Sequence, residues 1–118
     1  MIPEMFDEVA NTTLFGCKTM LTKKKGYGTN EDRLSNFKQA GHLQKIKPTS
    51  ALMGMLAKHS VALNDYMSEY ERTDTLPPAE ELEEKITDSI NYLLLLKGLL
   101  IDAKILPYIV VAQPKNKK

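Results

Sequence analysis

The stretch Glu80-Glu81-Leu82-Glu83-Glu84-Lys85-Ile86-Thr87-Asp88-Ser89-Ile90-Asn91-Tyr92, running into Leu93-Leu94-Leu95-Leu96, decides how this chain folds. It opens as an acidic helix start and becomes a helix that is apolar almost all the way round. Residues three or four apart share a helix face. Glu81, Glu84 and Asp88 therefore form one stripe, which continues as Tyr92, Leu95 and Leu99. These carboxylates stand at the end of a strip expected to be buried, where each needs a cation, a metal or a hydrogen-bond donor. Acidic residues at a helix start also favour the positive end of the helix dipole. That accounts for Glu80, Glu81 and Glu83, less well for Glu84, and poorly for Asp88, which lies about two turns in. Aspartate is a weak helix former, so Asp88 is the first candidate for a functional role.

Working outward, the same helix spans about Ala79 to Lys104, with Leu82, Ile86, Ile90, Leu93, Leu100 and Ile101 as its main apolar side and Pro107 as its stop. The spacing predicts three more helices. The first covers residues 2 to about 24, with Pro3 at its first position. A short second one runs from Asp32 to about Leu43, with Leu34, Phe37 and Ala40 as its inner edge and Thr29 or Asn30 as cap; Gly41 and Pro48 bound the connection that follows. The third starts on a Thr49 or Ser50 cap and runs to about Tyr70, with Leu52, Met55, Leu56, His59, Leu63, Tyr66, Met67 and Tyr70 on one face. Four helices with short links give an all-α, four-helix bundle-like domain over residues 1–118, with its core at about 2–106. The tail 107–118 is short and extended, with β-like composition at Tyr108-Ile109-Val110-Val111.

Composition narrows the function classes. The chain has 118 residues and a net charge of +1, so no global field draws in DNA or an anionic membrane. No recognition helix is evident, and a nucleic-acid partner is not expected. The basic runs Lys23-Lys24-Lys25 and Lys115-Asn116-Lys117-Lys118 read as solvated ends. No apolar run reaches the roughly eighteen residues that span a bilayer, and Glu4, Asp7 and Glu8 spoil a signal-peptide pattern. The lone Cys17 fits a reducing, cytoplasmic setting and reads as a buried thiol.

Three groupings could carry chemistry. On the third helix, Lys58, Asp65 and Glu69 fall on one side, with the small Ala51 and Ala62 between them. Asp65 and Glu69 are four apart, as are Glu84 and Asp88. Two antiparallel helices carrying such pairs can surround a divalent cation, and magnesium, which wants oxygen ligands and keeps several waters, suits them. The ordinary account is a wet face in which Lys58 or Lys85 pairs with the acids. The second grouping is Tyr27-Gly28, Asp32-Arg33 and Asn36-Phe37-Lys38. Here Arg33 and Lys38 could meet phosphate, Tyr27 or Phe37 could stack on a base, and Asn36 could read a base edge or help hold a metal. It is not a Walker-type phosphate loop or a dinucleotide fingerprint. Third, Lys97 projects between Ile90, Leu93 and Ile101, either snorkelling or reaching a phosphate or the carboxylate cluster. His59 reads as a core histidine, and Met53, Met55 and Met67 as core filler.

Tyr27-Gly28, then Asn36-Phe37, then Lys58 within Leu52 to Asp65, then Glu84-Lys85-x-x-Asp88-x-x-Asn91-Tyr92 resembles small phage and prophage proteins similar to the MazG and dimeric dUTPase superfamily of all-α nucleoside triphosphate pyrophosphohydrolases. The resemblance spans about residues 20 to 103. It implies a helical bundle that dimerises or tetramerises, magnesium among acidic side chains of two helices, and a nucleoside triphosphate cleaved between its α and β phosphates by an activated water. Carried over by residue, Glu84 and Asp88 match the second acidic motif, Lys58 and Asp65 match a lysine and an acidic position of the phage relatives, and Tyr27, Gly28 and Asn36 match their front motif. The first acidic motif, Glu-Glu-x-x-Glu in the enzymes, is reduced here to Asp65 and Glu69. The expected function is thus a magnesium-dependent, nucleotide-binding protein. Asp65, Glu69, Glu84 and Asp88 are the metal ligands, Glu84, Asp88 and Lys58 the catalytic set, and Tyr27, Arg33, Asn36, Tyr92 and Lys97 the substrate contacts. The alternative is a non-catalytic phage protein that blocks a host component.

Overall fold

The structure, a computed structural model, describes residues 1–23, 29 and 32–109. Among them are four helices: α1 (Pro3–Lys23), α2 (Ser35–Gln44), α3 (Pro48–Thr73) and α4 (Ala79–Asp102). No strand occurs among the described residues, and the architecture is the all-helical one expected. The Tyr27-Gly28 pair, the Asn30 cap and the chain from Val110 onward lie outside the described residues. Tyr108 and Ile109 are exposed and not in a strand.

The most extensive pairing is α3 with α4, followed by α2 with α3, and α1 leans on α4. Tyr66 faces Glu81 and His59 faces Asp88, so α3 and α4 run antiparallel. The core is Phe37 from α2, Leu52 from α3, and Leu95 and Leu99 from α4, with Leu21, Leu34, Met55, Tyr92 and Leu96 packed against it. Burying each such side chain contributes roughly 1.5–3 kcal/mol.

Several boundaries differ from expectation for local reasons. Helix α3 begins at Pro48, which takes the first helical position instead of ending the preceding connection. The ring's fixed φ suits that place and its missing N–H is not needed there. Thr49 and Ser50 are thus inside the helix, and no side chain caps it. Gly41 does not bound a loop. It lies buried inside α2, where an added Cβ would come within 2.8 Å of the Ile46 carbonyl oxygen and 3.0 Å of Pro48 N. The close return of the chain into α3 requires a residue with no side chain, so Gly41→Ala is expected to destabilise the fold by about 1–3 kcal/mol in urea unfolding. Lys45 ends α2 in the left-handed region (φ 58°), and Asp74 does the same for α3. Helix α4 stops at Asp102, ahead of Pro107, through a turn in which Lys104 takes φ 62°.

The largest correction concerns which face of α4 is inside. The buried residues are Asp88, Asn91, Leu95 and Leu99. The side with more apolar residues points the other way, and Ile86 and Leu93 remain 44% and 53% exposed. Met53 and Met67 are also exposed, so of the three methionines only Met55 fills core.

The start of α2 is tied down by polar contacts. Asp32 accepts a hydrogen bond from the Leu34 N–H (2.9 Å). Lys38 Nζ bridges Asp32 (2.8 Å) and Asp102 (2.7 Å), linking the α1–α2 connection to the end of α4. Hydrogen bonding from Lys38 and from that N–H holds the Asp32 carboxyl below its ordinary range, and the bonds to Asp102 and Asp32 push the Lys38 ammonium up. All three side chains are well solvated, so this clasp fixes geometry more than it stabilises.

Candidate functional site

Asp88 and Asn91 are one turn apart on α4, and both face inward, exposed by 4% and 0%. Asp88 lies between two neighbouring helices. Toward α3, its Oδ2 is 4.0 Å from His59 Nε2, too far for a hydrogen bond. Toward α1, it borders a cleft of ≈ 900 Å³ whose walls include Phe15 and Met20, with Glu80, Glu83 and Glu84 also lining it. The reach of the Asp88 charge is visible in its neighbours. The Cys17 thiol of α1 is pushed up by burial and, next, by Asp88. The Tyr92 phenol is raised by the same two causes in the same order.

Three buried polar atoms here have no protein hydrogen-bond partner: His59 Nδ1 and both amide atoms of Asn91. A buried, unsatisfied polar group costs about 1–3 kcal/mol, and natural folds leave few of them. An apolar residue of the same shape would remove this cost at Asn91. The wall beside them is aromatic: the Tyr92 ring lies 5.3 Å from the His59 ring, tilted by 38°, and meets Phe37 edge-on at 6.2 Å. A short way up α4, Tyr66 donates to Glu81, and that bond, with burial and the charges of Glu81 and Glu84, raises its phenol.

Of the expected site residues, the structure brings Asp88 and Tyr92 together, with Glu84 one turn before Asp88 and exposed on the cleft. Lys58, Asp65 and Glu69 are exposed on α3, and Glu69 is paired with Arg72. The four carboxylates do not converge: among the described residues no group of three or more His, Cys, Asp or Glu side chains is placed to hold a metal ion. Arg33 sends its guanidinium to the Leu21 carbonyl near the end of α1, a favourable place for a cation. Asn36 is half-buried near the start of α2. Lys97 is exposed on the opposite side of α4 from Asp88 and Asn91. Tyr27 lies outside the described residues.

The chain matches no family model, and no curated protein or solved structure matches it. The site therefore stands on its own geometry. Two of its members, His59 and Asn91, were not among the expected site residues. Asn91 carried a signal, a poor helix former set one turn after Asp88 in an otherwise apolar run. His59 carried only its place on the apolar face. No helix of the described residues is long and apolar enough to cross a membrane.

Cys17 offers a probe of the site. It is fully buried, and its thiol contacts the Thr87 carbonyl at 4.0 Å. Because the folded thiol keeps its proton to higher pH than the unfolded one, its contribution to stability is full below the unfolded thiol range. That contribution is lost as pH rises through the folded one. Alkylation at mildly alkaline pH is expected to be slow in the native protein and fast in denaturant. Asp88→Asn, which removes one of the two causes of the shift, should move the native rate–pH profile to lower pH. An unchanged profile would mean that Asp88 carries no charge beside the thiol.

Proposed function

We propose that this protein binds a nucleoside triphosphate with magnesium at the Asp88–Asn91 face of α4, and that it acts there as a pyrophosphohydrolase. The observation that carries the reading is the fully buried Asn91 amide with no protein partner, one turn from a buried carboxylate, Asp88, which itself borders an open cleft. The donors present suit a hard cation. Glu84 and Asp88 offer carboxylates on successive turns, and the unpartnered Asn91 Oδ1 adds a neutral oxygen. Magnesium needs only one or two carboxylates when phosphate oxygens and water complete its shell, so the scattered positions of Asp65 and Glu69 do not disqualify the site. When bound, the ion supplies the positive charge that lets phosphate oxygens approach carboxylates and polarises a water for attack on phosphorus.

The chain's own groups divide the remaining work. Asp88 and Glu84 hold the cation, and the acidic lining at Glu80 and Glu83 repels a triphosphate that arrives without one. Asn91 donates and accepts at the buried end, a pairing that an apolar residue cannot supply. Phe15 and Met20 give the cleft an apolar wall for a base or sugar, and Tyr92 with His59 backs the polar pair. Calorimetric titration with each common ribo- and deoxynucleoside triphosphate tests the reading. Binding heat is expected with magnesium and none with chelator, and pyrophosphate release should identify turnover.

A second reading is a non-catalytic interaction protein that blocks a host component. Its support is the amount of apolar side chain left outside, such as Phe15 at 73% exposed. Absence of pyrophosphate release and of nucleotide heat, together with a stoichiometric protein partner, would favour it over the first.

A further inference from the structure

Helices α1 and α4 touch at Cys17 and Thr87, and the cleft opens beside that contact as a groove with two helical banks. Phe15, Thr19 and Met20 stand on one bank at helical spacing, and Glu80, Glu83 and Thr87 on the other. The first bank is apolar and open: Phe15 is 73% exposed and Met20 37%. Gly16 also lines it. Glycine weakens a helix interior, and at Gly41 the return of the chain explains it. At Gly16 an added Cβ would meet no neighbour within 4 Å, so the described chain does not use the room it leaves. The second bank is acidic, as part of a wider asymmetry. Nine of the fifteen acidic residues, but two of the sixteen basic ones, lie between Asp65 and Asp88. A net charge of +1 therefore hides a strongly negative end, and Lys23 is the one cation among the described lining residues.

We propose that this groove receives a basic amphipathic helix of a partner protein. The proposal rests on the second functional reading, that of an interaction protein, and names the chemistry of its partner. Two neighbouring helices leave a channel that a third fills by packing its side-chain ridge between theirs. The apolar face of the incoming helix meets Phe15 and Met20, and its backbone comes close at Gly16. Lysine or arginine side chains along its edge meet Glu80 and Glu83. Charge selects this occupant over others. Nucleic acid and anionic lipid are repelled by the acidic bank. A second copy would offer the exposed start of α1, which carries Glu4, Asp7 and Glu8 with no basic side chain before Lys18.

Fluorescence anisotropy of a labelled synthetic leucine–lysine amphipathic peptide of about 18 residues, long enough to fold on contact, tests this on the full chain in the presence of chelator. Saturable binding is expected, with a Kd of about 1–10 μM. Phe15→Ser, and Glu80→Lys with Glu83→Lys, should each weaken it by about tenfold or more. Gly16→Leu should weaken it as much with helix content by circular dichroism unchanged, since the new side chain has room in the free protein. The same peptide with glutamate for every lysine, or scrambled so that no face is apolar, should not bind. No binding overturns the proposal. So does binding that survives both Phe15→Ser and Gly16→Leu. So does an equal loss with Asp65→Lys and Glu71→Lys, exposed acids of α3 outside the lining, because a diffuse field would then suffice. A dimer that Phe15→Ser dissociates would give the groove to a second copy. Peptide binding that tightens about tenfold on Lys115→Glu, Lys117→Glu and Lys118→Glu together would give it to the chain's own basic end. Either result overturns the proposal. A stoichiometric protein partner indifferent to Phe15→Ser and Gly16→Leu would overturn it too, while leaving the interaction reading in place.

Discussion

Asp88→Asn is expected to lower the affinity for magnesium-bound triphosphate by at least about 100-fold, equivalent to about 2.7 kcal/mol, while leaving the fold intact. The substitution keeps the shape of the side chain and removes its charge. In the apoprotein that charge is buried with a histidine nitrogen 4.0 Å away. Because the side-chain shape is kept, the variant should retain the parent's helix content and unfold cooperatively. In the proposed complex the same charge would meet a divalent cation, and its loss would be felt in full. Calorimetric titration and thermal melting on the same sample separate the two effects. A parallel loss of binding and of melting temperature would assign Asp88 a structural role instead. Glu84→Gln should have a smaller effect, because Glu84 is exposed and solvent already shares its charge.

Asn91→Leu should raise stability and remove binding together. Asparagine and leucine have the same branching and number of side-chain heavy atoms, so the core around position 91 can accept the change with little repacking. The two amide atoms that lack protein partners disappear, which is expected to stabilise the fold by about 1–3 kcal/mol in urea unfolding. The donor and acceptor that a ligand would use disappear with them. A stability gain coupled to a binding loss is the signature of a polar group kept for function. A stability loss would instead mean that the Asn91 amide already makes interactions that hold the helices in register.

The fold was legible because α4 and α3 keep helical spacing over many turns, and because Pro77-Pro78 stand immediately before α4. What misled was the choice of face. Ile86, Ile90, Leu93 and Ile101 outnumber the apolar residues opposite, and the larger apolar stripe of a helix in a lone domain normally faces its core. That rule fails here because α3 and α1 meet α4 along Asp88, Asn91, Leu95 and Leu99. In local pattern Gly41 and Pro48 are punctuation, because both break helices, yet one is needed for a close backbone approach and the other starts α3. Such roles depend on where the next segment returns, which local pattern does not contain.

The site was half legible. Asp88 stood out because neither helix propensity nor the helix dipole explained it, and it is indeed buried. The four-residue spacing on α3 points to carboxylates, Asp65 and Glu69, as its partners. The structure instead turns Asp65 and Glu69 outward and sets His59 opposite Asp88. Spacing along one helix fixes which side chains share a face. Which of them meets a given residue of another helix depends on the register between the two, and here the five-residue link between α3 and α4 sets it.

The most direct measurement is the side-chain amide resonance of Asn91, followed by NMR during titration with magnesium and nucleoside triphosphates. A ligand seated on the Asp88–Asn91 face should shift that resonance and slow its exchange with solvent, and should do so only with both magnesium and nucleotide present. If Asn91 stays unmoved through saturating titrations of every common triphosphate with magnesium, the buried polar face of α4 is not a nucleotide site.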